Sequence, residues 1–376
     1  MKSIRIPNVL FPAIALVLLS GCSSTPGPAD LEKFTPTAEL RELWNVSVGK
    51  AKNYVFQPIV IGQSVYATGA GGDVVRIDGG KKTWVTDTGS NLSAGVGSDG
   101  DIVVVASEKG EAIALDAKTG TERWRMNIGA EVLAPPAVGG GVVVLRASDH
   151  RLIGLEAKNG RQRWVYQRST PPLALRSHSG ALIVDGKVAL VGFPGGKIVA
   201  VNLEGGGDIW ELNVARPRGV TELERVADVA GLPVVNRNEI CAVTYQGRAA
   251  CFDAANGKPL WARDFSSFVG LDRDSRFVVL VDERDSVQAL DVYSGVPVWR
   301  QDAMPRRRLS RPLFVDSYVA VGDVEGYVHI LRREDGAFAA RSRADNSAIL
   351  ADPQLLGDGF VVQSVDGDVV AYELRR

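Results

Sequence analysis

Histidine and cysteine are scarce in this 376-residue chain, with three of each. His150, His178 and His329 lie far apart and lack metal-ligand spacing, which excludes a local zinc motif. No Gly-x-Ser-x-Gly elbow, phosphate-binding loop or His-Glu-x-x-His is present, so the familiar hydrolase and nucleotide-binding signatures are absent. No catalytic residue, metal ligand or cofactor is expected. Charge of one sign is also lacking: 43 basic residues face 44 acidic ones, for a formal net charge of −1. That balance gives no general drive towards nucleic acid. The run Arg306-Arg307-Arg308 reads as a solvated loop rather than a contact patch. Helical periodicity is missing outside the N-terminus, and the apolar run Val9 to Leu19 is too short to span a membrane.

What the chain does have is a repeat. Seven tryptophans stand at 44, 84, 124, 164, 210, 261 and 299, spaced by 40, 40, 40, 46, 51 and 38 residues. Six of them follow a glycine by four residues: Gly80, Gly120, Gly160, Gly206, Gly257 and Gly295. Around Trp124 the unit is made of short apolar runs, Ile102 to Val105 and Ala112 to Leu115, cut by Gly, Asp and Glu-Lys-Gly turns. Short runs with such punctuation read as β-strands, and a period near 40 is that of a propeller blade. Glu39 to Val46 supplies a Trp strand without inner strands, and the chain ends after Gly367 to Leu374 without one. Gly336 has Ala340 in place of Trp, giving eight Trp-strand positions. The fold expected is an all-β, eight-bladed propeller of four-stranded antiparallel blades, closed by pairing the N- and C-terminal strands. The tryptophans are read as wedges between blades, with Ala340 at the loosest junction. Asp116, Asp253 and Asp291 recur at one repeat position and are read as turn organisers.

Residues 1–21 read as a leader: Lys2 and Arg5, the apolar run, then Leu19-Ser20-Gly21-Cys22. This resembles a bacterial lipobox, which implies lipidation of Cys22 and a membrane anchor through the N-terminus. Ser23 follows the cysteine, which favours the periplasmic face of the outer membrane. Residues 22–38, with Pro26, Pro28 and Pro36, read as a flexible tether, and 39–376 as one propeller domain. Cys241 and Cys251 flank the turn Tyr245-Gln246-Gly247 symmetrically. A disulfide and a pair of buried thiols are both open readings.

Function on a regular scaffold is expected where regularity fails. The two long intervals surround Trp210. They place extra residues at 167–178, with Leu173, Leu175 and Arg176, and at 215–228, ending in Asp228. Val220 to Val229 could form a short helix exposing Glu222, Glu224 and Asp228, whose acids could pair with a basic partner or with Arg176.

These segments carry a resemblance. Leu173-Ala174-Leu175-Arg176, Thr221 to Val229 and Val321-Gly322-Asp323-Val324-Glu325-Gly326-Tyr327, with the lipobox, are similar to the BamB family of β-barrel assembly lipoproteins. The resemblance implies a non-enzymatic scaffold that binds a periplasmic POTRA domain of BamA and assists folding and insertion of outer-membrane barrels. It would meet the other lipoproteins of that machinery indirectly and could handle unfolded barrel chains. Leu173 and Leu175 would fill an apolar pocket on the partner. Arg176 would donate a charge-assisted hydrogen bond, and Asp228 would pair with a partner cation or hold Arg176. The family's second acidic position, two residues after the aspartate, is Ala230 here, which removes any ionic contact there.

Two other classes fit the repeat. Gly-x-x-x-Ala-Leu-Asp-x-x-Thr-Gly-x-x-x-Trp also resembles the blade of pyrroloquinoline-quinone dehydrogenases. Many of those carry adjacent cysteines over the cofactor plus calcium ligands, whereas this chain has no adjacent cysteines and nearly minimal blades. A polysaccharide-binding propeller would need exposed aromatics on one face.

Overall fold

The computed structural model describes residues 26–176 and 178–375. The leader and Cys22 lie outside the described residues. The described chain contains strands and turns but no helix, in eight four-stranded antiparallel sheets. Seven blades are consecutive in sequence, at 59–87, 92–127, 137–166, 182–213, 234–265, 271–301 and 313–343. The eighth is made from both ends of the chain. The N-terminal strand, Glu39–Ser47, pairs antiparallel with the C-terminal strand, Asp368–Arg375, from Glu39 opposite Arg375 to Ser47 opposite Asp368. Two more strands, Gln354–Leu356 and Gly359–Gln363, complete that sheet. This is the closure read from the broken ends of the repeat.

Each blade buries its middle strands. Ile102–Ser107 and Glu111–Asp116 are apolar on both faces because blades stack on either side of them. The outermost strand alternates, as in Gln162–Tyr166, where Trp164 and Tyr166 are buried and their neighbours exposed. All eight outer strands carry a β-bulge immediately before the Trp position. In four blades the bulged residue is an exposed aliphatic: Leu43, Ile209, Leu260 and Val298. A bulge re-aims the next side chain and twists an open edge away from pairing.

That re-aimed indole reaches the next blade. Nε1 of Trp124, Trp164, Trp261 and Trp299 donates to the carbonyl of Ala157, Leu203, Val292 and Arg333, at 2.7–2.8 Å. The glycine four residues before one tryptophan packs beneath the tryptophan of the preceding blade. At Gly160, φ is 73° and an added Cβ would lie 2.6 Å from the Trp124 ring. Trp210 is the exception to this seating, because Gly257 of the next blade meets Leu212 instead of the indole. Asp116, Asp253 and Asp291 organise turns as expected: each Oδ1 accepts two backbone N–H groups.

Two expectations are corrected. The junction at Ala340 is not loose. Ala340 is buried, and Phe360 and Tyr372, both fully buried and stacked at 5.6 Å, fill the space a tryptophan would take. Burial pushes the Tyr372 phenol up to about 12. Nor is 306–308 merely a solvated loop. Arg306 and Arg308 are exposed, but Arg307 is only 1% exposed. Its Nε donates to Asp323 Oδ2 at 2.6 Å and its Nη2 to Glu325 Oε2 at 2.5 Å. Arg341 Nε donates to His329 Nδ1 at 3.0 Å, so the opposite nitrogen, Nε2, carries the proton given to Asp323 Oδ2 at 2.7 Å. Burial pushes the His329 imidazole below its ordinary value; Asp323 pulls the other way, and Arg341 and Arg307 add to the depression.

Gly160→Ala should destabilise the propeller by about 2–4 kcal/mol, through a strained φ and overlap with Trp124. Gly205→Ala, where nothing lies within 4 Å, should stay within about 0.5 kcal/mol in the same urea titration. His329 contributes to the acid response. Its folded pKa lies below the unfolded 6.5, so the stability it confers is complete above about pH 6.5 and is lost as pH falls below that value. Urea midpoints between pH 7.5 and 5 should therefore fall less for His329→Gln than for the parent chain.

Candidate functional site

In each of the seven consecutive blades the chain runs from the innermost strand to the outermost and then crosses to the next blade. All blade-to-blade connections therefore emerge on one face. The two long insertions, 167–181 after the third blade and 214–233 after the fourth, lie side by side there. They border a central funnel of about 870 Å³, whose lining includes Leu175, Arg176, His178, Phe268, Arg308 and Asp352.

Asp228 joins the two loops. It is 4% exposed, not on the surface as the sequence suggested. Its Oδ2 accepts the Leu175 amide at 2.6 Å and its Oδ1 the Gly195 amide at 3.1 Å. Its own carbonyl accepts the Tyr245 amide at 2.9 Å. Both carboxylate oxygens are thus bonded inside the protein, and Ser177 of the first loop lies outside the described residues. The expected helix at 220–229 is a single turn. Arg225 N–H bonds Thr221 O at 3.2 Å, while Glu224 Oε2 turns back to accept the amides of Val220 and Thr221. Residue-level propensity favoured a helix there, but the chain must then run extended to bring Asp228 under the neighbouring loop.

Arg176 is not held by Asp228. Its side chain is 67% exposed and pairs with Glu131 at 3.2 Å, a surface contact worth little in water. Leu173 is 42% exposed. Leu175 is half buried, between the funnel and a small side cavity that it lines with Leu133, Arg146 and His150. Of the four residues read from sequence, Leu173 and Arg176 are presented outward, Leu175 partly inward, and Asp228 is internal.

Sequence reasoning missed Arg146. It ends the apolar strand Val142–Arg146, is 5% exposed and donates from Nη1 to Ser179 O at 3.0 Å. Its guanidinium lies 5.6 Å over the Phe193 ring, and burial pushes it down to about 10, opposed by the nearby Asp228. Arg146 therefore pins the far end of the 167–181 loop while Asp228 pins its middle. The signal was legible only as an arginine ending an otherwise apolar run.

Close by, Cys241 and Cys251 face each other on adjacent strands and are joined as a disulfide, with Cα atoms 4.1 Å apart. The bridge staples the hairpin whose turn contacts Asp228. Ala230 lines the funnel. Among the described residues no group of three His, Cys, Asp or Glu side chains is placed to hold a metal ion.

Closed ring, minimal blades and an elaborated loop face define a quinoprotein-like eight-bladed propeller. The fold is shared with a quinohemoprotein alcohol dehydrogenase from Comamonas testosteroni, at a TM-score of 0.72 and 13% identity over 89% of this chain and 76% of that one, a likeness of fold alone. The family model described as outer membrane protein assembly factor BamB matches residues 70–301 and 284–376. The outer membrane protein assembly factor BamB of Burkholderia pseudomallei is 41% identical over 96% of this chain and 97% of its own length. A crystal structure of BamB from Moraxella catarrhalis superposes with a TM-score of 0.83 at 26% identity, covering 89% of this chain and all of that one. The chain belongs to the BamB family of outer membrane protein assembly factors. The relatives are named as assembly factors, not enzymes.

Replacing Asp228 by Asn removes the charge that the Leu175 and Gly195 amides bond. Amide exchange across residues 173–176 should accelerate, with a stability loss of about 1–3 kcal/mol. Unchanged protection of that segment by hydrogen-exchange mass spectrometry would show that Asp228 does not organise the loop.

Proposed function

We propose that this protein is a lipid-anchored scaffold on the periplasmic face of the outer membrane, and that its loop face binds a periplasmic POTRA domain of a BamA-like barrel protein. The observation that carries this reading is the double pin on the 167–181 loop. Asp228 and Arg146 hold the backbone so that Leu173 and Arg176 stand exposed without ordering cost at binding. An exposed leucine beside a cation with only a weak surface partner suits a small interface with an apolar anchor and a charge-assisted hydrogen bond. Leu175, half buried at the funnel, would add to the apolar anchor. Asp228 acts through the loop, not by touching the partner. The anchor would be a lipid on Cys22, and support of barrel assembly would follow from holding the partner's periplasmic domains. Unfolded barrel chains would meet the propeller by strand addition at a stretch of blade edge away from the bulge.

The test is capture of the purified POTRA segment by Leu173→Ala, Arg176→Ala and the double variant. Each single change should weaken binding by about 2 kcal/mol, some 30-fold in Kd. Undiminished affinity of the double variant would sink this site. Labelling cells with a palmitate analogue reports the anchor separately: Cys22→Ala should abolish incorporation.

A further inference from the structure

Residues 27–38, which composition marks as a flexible tether, lie fixed along the seventh blade. The buried Arg307 fork is completed only there: its Nε and Nη2 serve Asp323 and Glu325, and its Nη1 donates to the carbonyl of Ala29 at 2.5 Å. Arg306 Nε donates to Gly27 O at 2.8 Å, and the Ala29 amide donates to Pro305 O at 3.1 Å. Further on, Phe34 stacks on Phe338 at 5.3 Å. Arg341 lies 5.0 Å from the Phe34 ring and donates from Nη1 to Glu32 O at 3.0 Å. The Thr37 and Ala38 amides both reach Ala339 O, on the outer strand of the blade that lacks a tryptophan. Withdrawing this segment would strand a buried guanidinium N–H without its acceptor and uncover an aromatic pair.

We propose that residues 27–38 are a fixed strap, and that the chain leaves the propeller for its anchor at Gly27, on the loop-bearing face beside the seventh blade. This rests on the reading of Cys22 as the anchor point. Gly27 lies against residues 305–307 of the connection between the sixth and seventh blades, which emerges on the same face as 167–181 and 214–233. Four residues lie between Cys22 and Gly27, five Cα steps with a reach of about 18 Å at most, whereas a free tether from Cys22 to Glu39 would span about 60 Å. The short leash turns the corner bearing exposed Arg306 and Arg308 towards the lipid headgroups, and those cations suit an anionic surface. The strap thereby sets both the height and the facing of the partner-binding loops.

The experiment uses the mature chain coupled through the Cys22 thiol to maleimide lipid in vesicles containing anionic lipid. Cys241 and Cys251 are bridged and buried, which leaves Cys22 to react. A donor dye is placed by a non-natural amino acid at position 302, on the loop face, or at position 118, in a turn on the opposite face, with an acceptor on the headgroups. Transfer from 302 is expected to exceed transfer from 118 several-fold. It should drop to the level of 118 when residues 27–36 are replaced by a Gly-Ser stretch of equal length, and partly with Phe34→Ala. Equal transfer from the two positions in the parent chain, or no loss with the Gly-Ser strap, overturns the proposal. Because the coupling is chemical, the outcome is independent of acylation in the cell, and loss of palmitate labelling would bear on the natural anchor alone.

Discussion

Everything in this molecule depends on how one blade grips the next. A single blade has two apolar faces and an open edge, and it cannot be stable alone. The bulge before each Trp position turns the indole out of its own strand and across the gap. There it lies on a glycine turn and donates to a backbone carbonyl of the neighbouring blade. Burying such a ring contributes up to about 4–6 kcal/mol by area, and the carbonyl fixes its orientation. The glycine is required because any Cβ would occupy the space of the ring. Tryptophan and glycine, read in sequence as one motif, are two halves of two different contacts, each made with another blade.

The ring has two places where this device is changed, and both bear on function. At Trp210 the glycine of the next blade meets Leu212 instead of the indole, and the loops before and after that blade are enlarged into the candidate binding face. At Ala340 the tryptophan is missing; Phe360 and Tyr372 fill the gap, and the N-terminal segment covers the outer strand. The first break adds surface at the funnel mouth, and the second gives the chain a docking rail. Both loop sets and the start of that rail share one face because every blade is threaded in the same direction.

Charge serves different ends at the two places. At the binding face Asp228 and Arg146 are spent on backbone groups, so the loop is rigid while the outward cation, Arg176, keeps only a weak surface partner. At the seventh blade Arg307, Asp323, His329 and Arg341 form a buried network in which the histidine tautomer follows from its two neighbours. A network of that kind tolerates no missing member, because each removal leaves a desolvated group without a partner.

Fold class, blade count, closure and the location of the elaborated loops were all legible in the sequence. They follow from local periodicity: strand length, turn chemistry and the repeat of Gly and Trp are properties of short segments. The roles of individual residues were less legible. Asp228 looked like a surface acid and is an internal clamp; Arg307 looked solvated and is buried; residues 27–38 looked free and are docked. Arg146 gave almost no signal, and Trp210 gave no sign that the next blade's glycine meets Leu212 instead. In each case the deciding partner is distant in sequence: Leu175 lies 53 residues from Asp228, and Ala29 lies 278 from Arg307. Composition reports how polar a segment is, but whether its polar groups face water or each other is settled only when the ring closes and brings those partners within bonding distance.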